Sequence, residues 1–189
     1  VFLGGISGHV TNGLSNSTNS GVISIGNKAD TTKLNSTSTS YFAGIVGCVK
    51  KATSKLHNTE SGSIIFGNVV SAGEIEIGGI AGTFICGETN AVNESEAKND
   101  GDITVNGTYN GRFFCAGICG YGADKAVFSG AVNSGDITIH KDAVFNATNG
   151  TYIGGVAGIN RTSVSDTENN GTITVSGTFN NLTYIAGNT

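Results

Sequence analysis

The sequence predicts an all-β protein, a right-handed parallel β-solenoid (β-helix) built from about five repeats of roughly 36 residues. Three observations predict it. Helix-forming residues are scarce, while the chain carries 30 glycines, no proline, methionine or tryptophan, and only 13% charged residues. Short runs of Val, Ile, Thr, Tyr and Phe alternate with clusters of Gly, Asn and Ser. Two short motifs also recur on one common period along the whole chain.

The first element of each unit is an apolar pair, as in Phe2-Leu3, Tyr41-Phe42, Phe114-Cys115, Tyr152-Ile153 and Tyr184-Ile185. It predicts a strand running into a glycine corner. That corner is the first motif: Gly4-Gly5-Ile6-Ser7-Gly8, Ala43-Gly44-Ile45-Val46-Gly47, Gly78-Gly79-Ile80-Ala81-Gly82, Ala116-Gly117-Ile118-Cys119-Gly120, Gly154-Gly155-Val156-Ala157-Gly158 and the shorter Ala186-Gly187. Glycine here predicts a sharp turn or a close approach of backbones. A phosphate cradle would require a helix after the glycines, and none is predicted.

The second motif is a turn followed by a strand. It reads Asn19-Ser20-Gly21-Val22-Ile23, Glu60-Ser61-Gly62-Ser63-Ile64, Asn99-Asp100-Gly101-Asp102-Ile103, Asn133-Ser134-Gly135-Asp136-Ile137 and Asn169-Asn170-Gly171-Thr172-Ile173. Asn and Gly are expected to supply left-handed backbone angles, after which apolar and polar residues alternate. Units of two or three such strands cannot bury an apolar face alone, but stacking them about 4.8 Å apart places like over like.

Two inward columns follow: Leu3, Phe42, Ile77, Cys115, Ile153 and Ile185, and Ile23, Ile64, Ile103, Ile137 and Ile173. Ser24, Ile65, Thr104, Thr138 and Thr174 should face outward. The segments 27–40 and 141–150 are expected to be projecting loops. The units are 1–40, 41–74, 75–111, 112–150, 151–183 and a partial 184–189, forming a single array over 1–189. Because the chain starts and stops inside a unit, it is expected to continue into further repeats or to stack end to end with other copies of itself.

A net charge of −4 with no basic cluster predicts no nucleic-acid partner. No apolar stretch is long enough for a membrane-spanning segment, and nothing near Val1 reads as an export signal, which suggests a mature or internal fragment.

The Gly-[Ile/Val]-x-Gly core within its aromatic-aliphatic context resembles the GLUG-motif repeat of large secreted and surface proteins. Residues 44–47, 79–82, 117–120 and 155–158 carry the likeness. Ile or Val stands where that family has Leu, and Ser7 and Cys119 replace its aliphatic third residue. The resemblance implies an adhesin or stalk segment in an extracellular or cell-surface protein, with any catalytic domain elsewhere and no catalytic residue carried over. Host or extracellular glycans and proteins would be its partners.

Few residues suggest chemistry. Asp102 and Asp136 occupy one column in adjacent units, where stacked carboxylates could hold a cation or serve a glycan-binding or glycan-cleaving β-helix as an acid/base pair. The hydroxyl column raises ice binding as a minor alternative, although Asp102, Asn106, Asp136 and His140 interrupt any regular rank of threonines. His9, His57 and His140 fall at unrelated repeat positions and no zinc spacing exists. No cofactor is predicted.

Cys115 reads as a buried hydrophobe, and Cys48 and Cys86, after neighbouring glycine corners, are the candidate disulfide. Nine N-glycosylation acceptors occur, at Asn16, Asn35, Asn93, Asn106, Asn146, Asn149, Asn160, Asn170 and Asn181. They fit a secreted glycoprotein, and equally a bacterial surface solenoid rich in Asn, Ser and Thr that bears no glycans.

Overall fold

The computed structural model describes residues 1–26, 31–35, 37–84, 92–124, 126–147, 149–161 and 163–187. Among these there are 27 strands and no helix, and every strand pair is parallel. The chain is a parallel β-solenoid in which each coil adds a rung to four sheets. Sheet 1 consists of Phe2–Gly4, Ser40–Ala43, Ile75–Gly78, Phe113–Ala116, Thr151–Gly154 and Thr183–Ala186. Sheet 2 follows the glycine corner and consists of Ser7–Val10, Val46–Val49, Ala81–Phe84, Cys119–Gly122 and Ala157–Asn160. Sheet 3 runs up to the Asn of the second motif, as in Leu14–Asn19 and Thr53–Asn58, and sheet 4 begins at its first Ile, as in Ile64–Ser71 and Ile103–Tyr109.

Both expected inward columns form in register. Leu3 pairs with Phe42, then Ile77, Cys115, Ile153 and Ile185 follow one another in sheet 1. Ile23, Ile64, Ile103, Ile137 and Ile173 do the same in sheet 4. Sheets 1 and 4 enclose one apolar core, which also takes in Phe66, Val69, Tyr109 and Phe145. Sheets 2 and 3 enclose a second, built on Ile45, Ile80, Ile118, Val49, Leu56, Phe84 and Phe128.

Between the two cores lies a ladder of asparagines. Asn19 Nδ2 donates to Asn58 Oδ1 at 2.9 Å, Asn58 to Asn99 at 2.8 Å, Asn99 to Asn133 at 2.7 Å and Asn133 to Asn169 at 2.7 Å. The second proton of each amide goes to the carbonyl of Gly21, Gly62, Gly101, Gly135 or Gly171 in its own coil. Buried amides are tolerated because each finds partners above, below and within the coil.

This ladder explains both glycine motifs. A Cβ on Gly79 would stand 2.3 Å from Asn99 Cγ and 2.1 Å from the Gly117 carbonyl, and one on Gly62 would stand 2.1 Å from Asn58 Oδ1. Glycines 21, 62, 101, 135 and 171 do not have positive φ, so the expectation that the Asn–Gly turn supplies left-handed angles is corrected. The need is for room rather than for conformation.

Five left-handed angles lie instead in the middle of sheet 3, at Asn16 (φ 49°), Lys55 (54°), Glu96 (58°), Gly130 (66°) and Asp166 (52°). These five positions share one register, so every coil bends at the same place. A second correction concerns the two expected loops. Thr32–Leu34 pairs with Val69–Ser71, and Val144–Phe145 pairs with both Thr108–Tyr109 and Thr178–Phe179. Ala143, Phe145 and Ala147 point into the core, because their spacing of two keeps one face apolar through a stretch that otherwise looks polar.

Candidate functional site

The second motif brings Asp102 and Asp136 into one exposed column, as its register requires. Their carboxylates are committed to holding coils together: Asp136 N–H donates to Asp102 Oδ1 at 2.9 Å, and Thr172 N–H donates to Asp136 Oδ1 at 2.7 Å. They line an open depression of about 460 Å³ with Glu60, Lys98, Asp100 and Ser134. Asp100 in that depression is bonded by Lys98 Nζ and His57 Nε2, each at 2.8 Å. Partial burial works to raise its carboxyl, but the hydrogen bonds and charge of Lys98 and His57 outweigh it and hold the group below the usual carboxylate range. Among the described residues no group of three or more His, Cys, Asp or Glu is placed to hold a metal ion.

The outward hydroxyl column Ser24, Ile65, Thr104, Thr138, Thr174 forms as expected. Beside it the surface dips into a depression of about 290 Å³ lined by Ile65, Thr104, Asn106, His140 and Asp142, so the face is not a flat rank of threonines.

The acceptor asparagines are placed unequally. Asn16, Asn35, Asn149 and Asn170 are exposed. Asn146 is exposed too, but its Nδ2 donates to Asn110 Oδ1 at 3.1 Å. Asn106 Oδ1 accepts from Gly107 N–H at 2.9 Å, and Asn181 Nδ2 donates to Thr151 Oγ1 at 3.0 Å. The Asn160 amide is buried and has no partner among the described residues, which leaves no space for a glycan on the folded chain. The side chain of Asn93 lies outside the described residues, and so does Cys86. Cys48, the other half of the candidate disulfide, is a buried free thiol pushed up to about 11 by burial. Cys115 is buried in its column, its thiol pushed up to about 12 for the same reason.

One constellation was not anticipated. At the glycine corner the chain folds back so that the outer faces of sheets 1 and 2 meet in a re-entrant angle. The outward column of sheet 1 is Phe2, Tyr41, Glu76, Phe114, Tyr152 and Tyr184, aromatic at every position except Glu76. It packs against the sheet 2 column His9, Cys48, Thr83, Tyr121 and Ile159. The Phe2 and His9 rings stack with centroids 5.3 Å apart, Phe114 and Tyr121 meet at 5.3 Å, and the Arg112 guanidinium covers Phe114 at 5.5 Å.

Glu76 is only 3% exposed in this angle, and among the described residues its Oε2 has no hydrogen-bond partner. Two residues earlier, Glu74 accepts from Thr39 Oγ1 at 3.2 Å and pairs with Arg112 Nε. Burial, then the hydrogen bond and charge of Glu74, push the Glu76 carboxyl up to about 9. It is therefore protonated at neutral pH. The only signal in the sequence is negative: in the series of apolar pairs before the glycine corners, Glu76-Ile77 is the exception.

No known protein family matches the chain, and neither curated proteins nor solved structures contain a match to it.

Proposed function

We propose that this chain is a structural and adhesive repeat segment of an extracellular or cell-surface protein, one stretch of a rod or stalk whose partners are further coils, other copies of itself, or extracellular glycans and proteins. The observation that carries the reading is the fate of the polar groups that could have done chemistry. Asp102 and Asp136 each use Oδ1 to accept an N–H one coil away, and the amides of the Asn ladder are bonded to neighbouring coils. The likeness of residues 44–47, 79–82, 117–120 and 155–158 to GLUG-motif repeats supports the same reading. Coils that meet only their neighbours supply reach and stiffness, while loops and side chains on the flanks supply contacts.

The test is a parallel assay of retention and cleavage on immobilised polysaccharides and extracellular-matrix proteins. Retention without release of reducing ends is the expected result. Release of reducing ends that Asp102→Asn and Asp136→Asn abolish would overturn it in favour of a glycan-cleaving β-helix. Absence of retention on every surface would remove the adhesive role.

A further inference from the structure

We infer that the Glu76 carboxyl is a proton-operated latch that holds the outer faces of sheets 1 and 2 together at the glycine corner and releases them when it loses its proton. Glu76 sits in the centre of a column of rings, between Tyr41 on one side and Phe114 on the other. Sheet 2 closes over it with Cys48 and Thr83, both fully buried. The strands of sheets 1 and 2 are joined through Gly79 and Ile80; a Cβ on Gly79 would meet the Gly117 carbonyl and Asn99, and the Ile80 side chain turns into the second core, so neither residue reaches across the outer faces where Glu76 lies.

The groups facing Glu76 decide what a charge there would meet. On its own strand Glu74 is acidic and already engaged by Arg112 and Thr39. The strand before it presents Tyr41, and sheet 2 presents the Cys48 thiol, with Lys50 two residues beyond Cys48. The Thr83 hydroxyl donates to the Tyr121 carbonyl at 3.0 Å and is also hydrogen-bonded to the Glu76 carboxyl, where it works to lower it against the larger effect of burial. Among the described residues the cation acting on Glu76 is Arg112, and its guanidinium is held by Glu74 and laid over Phe114. An ionised Glu76 would thus be a buried charge with Oε2 unsatisfied beside a second carboxylate, and water must enter the angle to solvate it.

The sign follows from linkage. The carboxyl is pushed up to about 9 in the folded chain against an ordinary value of 4.5, so the folded state holds a proton that the unfolded state gives up across that window. Its contribution to stability is fully present below pH 4.5 and is lost as pH rises toward about 9.

Hydrogen–deuterium exchange of the native chain, corrected for the intrinsic rate at each pH, tests this on the Val46–Val49 strand of sheet 2. Protection in the wild type is expected to fall about tenfold or more between pH 7 and pH 10, while Glu76→Gln keeps it, since the amide cannot ionise. Glu74→Gln removes the adjacent carboxylate and frees Arg112, so it should move the loss to lower pH. Equal pH dependence in wild type and Glu76→Gln would overturn the proposal. Should Glu76→Gln fail to fold, an unmoved midpoint in Glu74→Gln would overturn it as well.

Discussion

The two cores differ in how their sheets are filled. In sheet 4 one kind of side chain is repeated coil after coil, as in the column Ile23, Ile64, Ile103, Ile137, Ile173, whereas the sheet 1 column of the same core varies through Leu3, Phe42, Ile77 and Cys115. Between sheets 2 and 3 the columns change identity: Val10, Val49, Phe84, Gly122 and Asn160 on one side, and Leu56, Ala97 and Ala131 on the other. Volume there is balanced across the core rather than along it. Where sheet 2 carries Gly122, sheet 3 sends in the Phe128 ring, whose Cε2 would lie 3.0 Å from a Cβ on that glycine. Constant total volume is what packing demands, and the two cores reach it by different arrangements.

The largest effect is expected at the waist that joins the cores. Asn99→Ala strands the Asn58 Nδ2 proton, the Asn133 Oδ1 and the Gly101 carbonyl in the interior. At one to three kcal/mol for each orphaned group, the loss should be about 4 kcal/mol, measured by chemical denaturation. If the ladder is what couples the cores, the single transition should also split in two.

A smaller effect tests the balance within the second core. Gly122→Ala brings a methyl against Phe128 and within 2.4 Å of the Asn160 Oδ1, and should destabilise by about 2 kcal/mol. Phe128→Leu on top of it should recover part of that loss, a coupling a double-mutant cycle reads directly. Simple addition of the two losses would show that the sheets are packed independently.

The smallest effect concerns the bend in sheet 3. Lys55 holds φ at 54°, where an L-residue is strained, so Lys55→Gly trades that strain against the greater freedom of glycine when unfolded. A net gain of about 0.5 kcal/mol is expected in the thermal midpoint, with no counterpart in sheet 4 strands that have negative φ.

The comparison also shows what could be read in advance. The first core was legible because its sheet 4 column repeats one residue type, and its sheet 1 column, mixed in type, is placed by its constant position just before the glycine corner; every residue of both stands where those signals put it. The bend in sheet 3 carries no such signal: Asn16, Lys55, Glu96, Gly130 and Asp166 share a backbone angle and nothing else. The ladder was half visible. Asn19, Asn99, Asn133 and Asn169 stand at the head of the second motif, but in the second coil Thr59 and Glu60 are inserted, so Asn58 drops out of the pattern that it completes in space. At the candidate site, the shared column of Asp102 and Asp136 followed from the period, whereas their use as acceptors for the next coil depends on atomic geometry. Glu76 needed more still, because its burial arises from two outer faces meeting, which no strand pattern encodes.

The asparagine ladder also gives the fold a direction. Each amide donates to the coil that follows and accepts from the coil before, from Asn19 through to Asn169. A coil inserted backwards would set donor against donor, whereas a whole coil added or removed in the same sense restores every bond at the new junction. Recombination between units can therefore lengthen or shorten such an array in single steps, and the unequal spacing of the ladder asparagines, 39, 41, 34 and 36 residues, shows that the stretches between them absorb insertions without breaking it. The gene of such a protein is free to vary in copy number and in the length of the connecting stretches, and constrained at the ladder positions themselves.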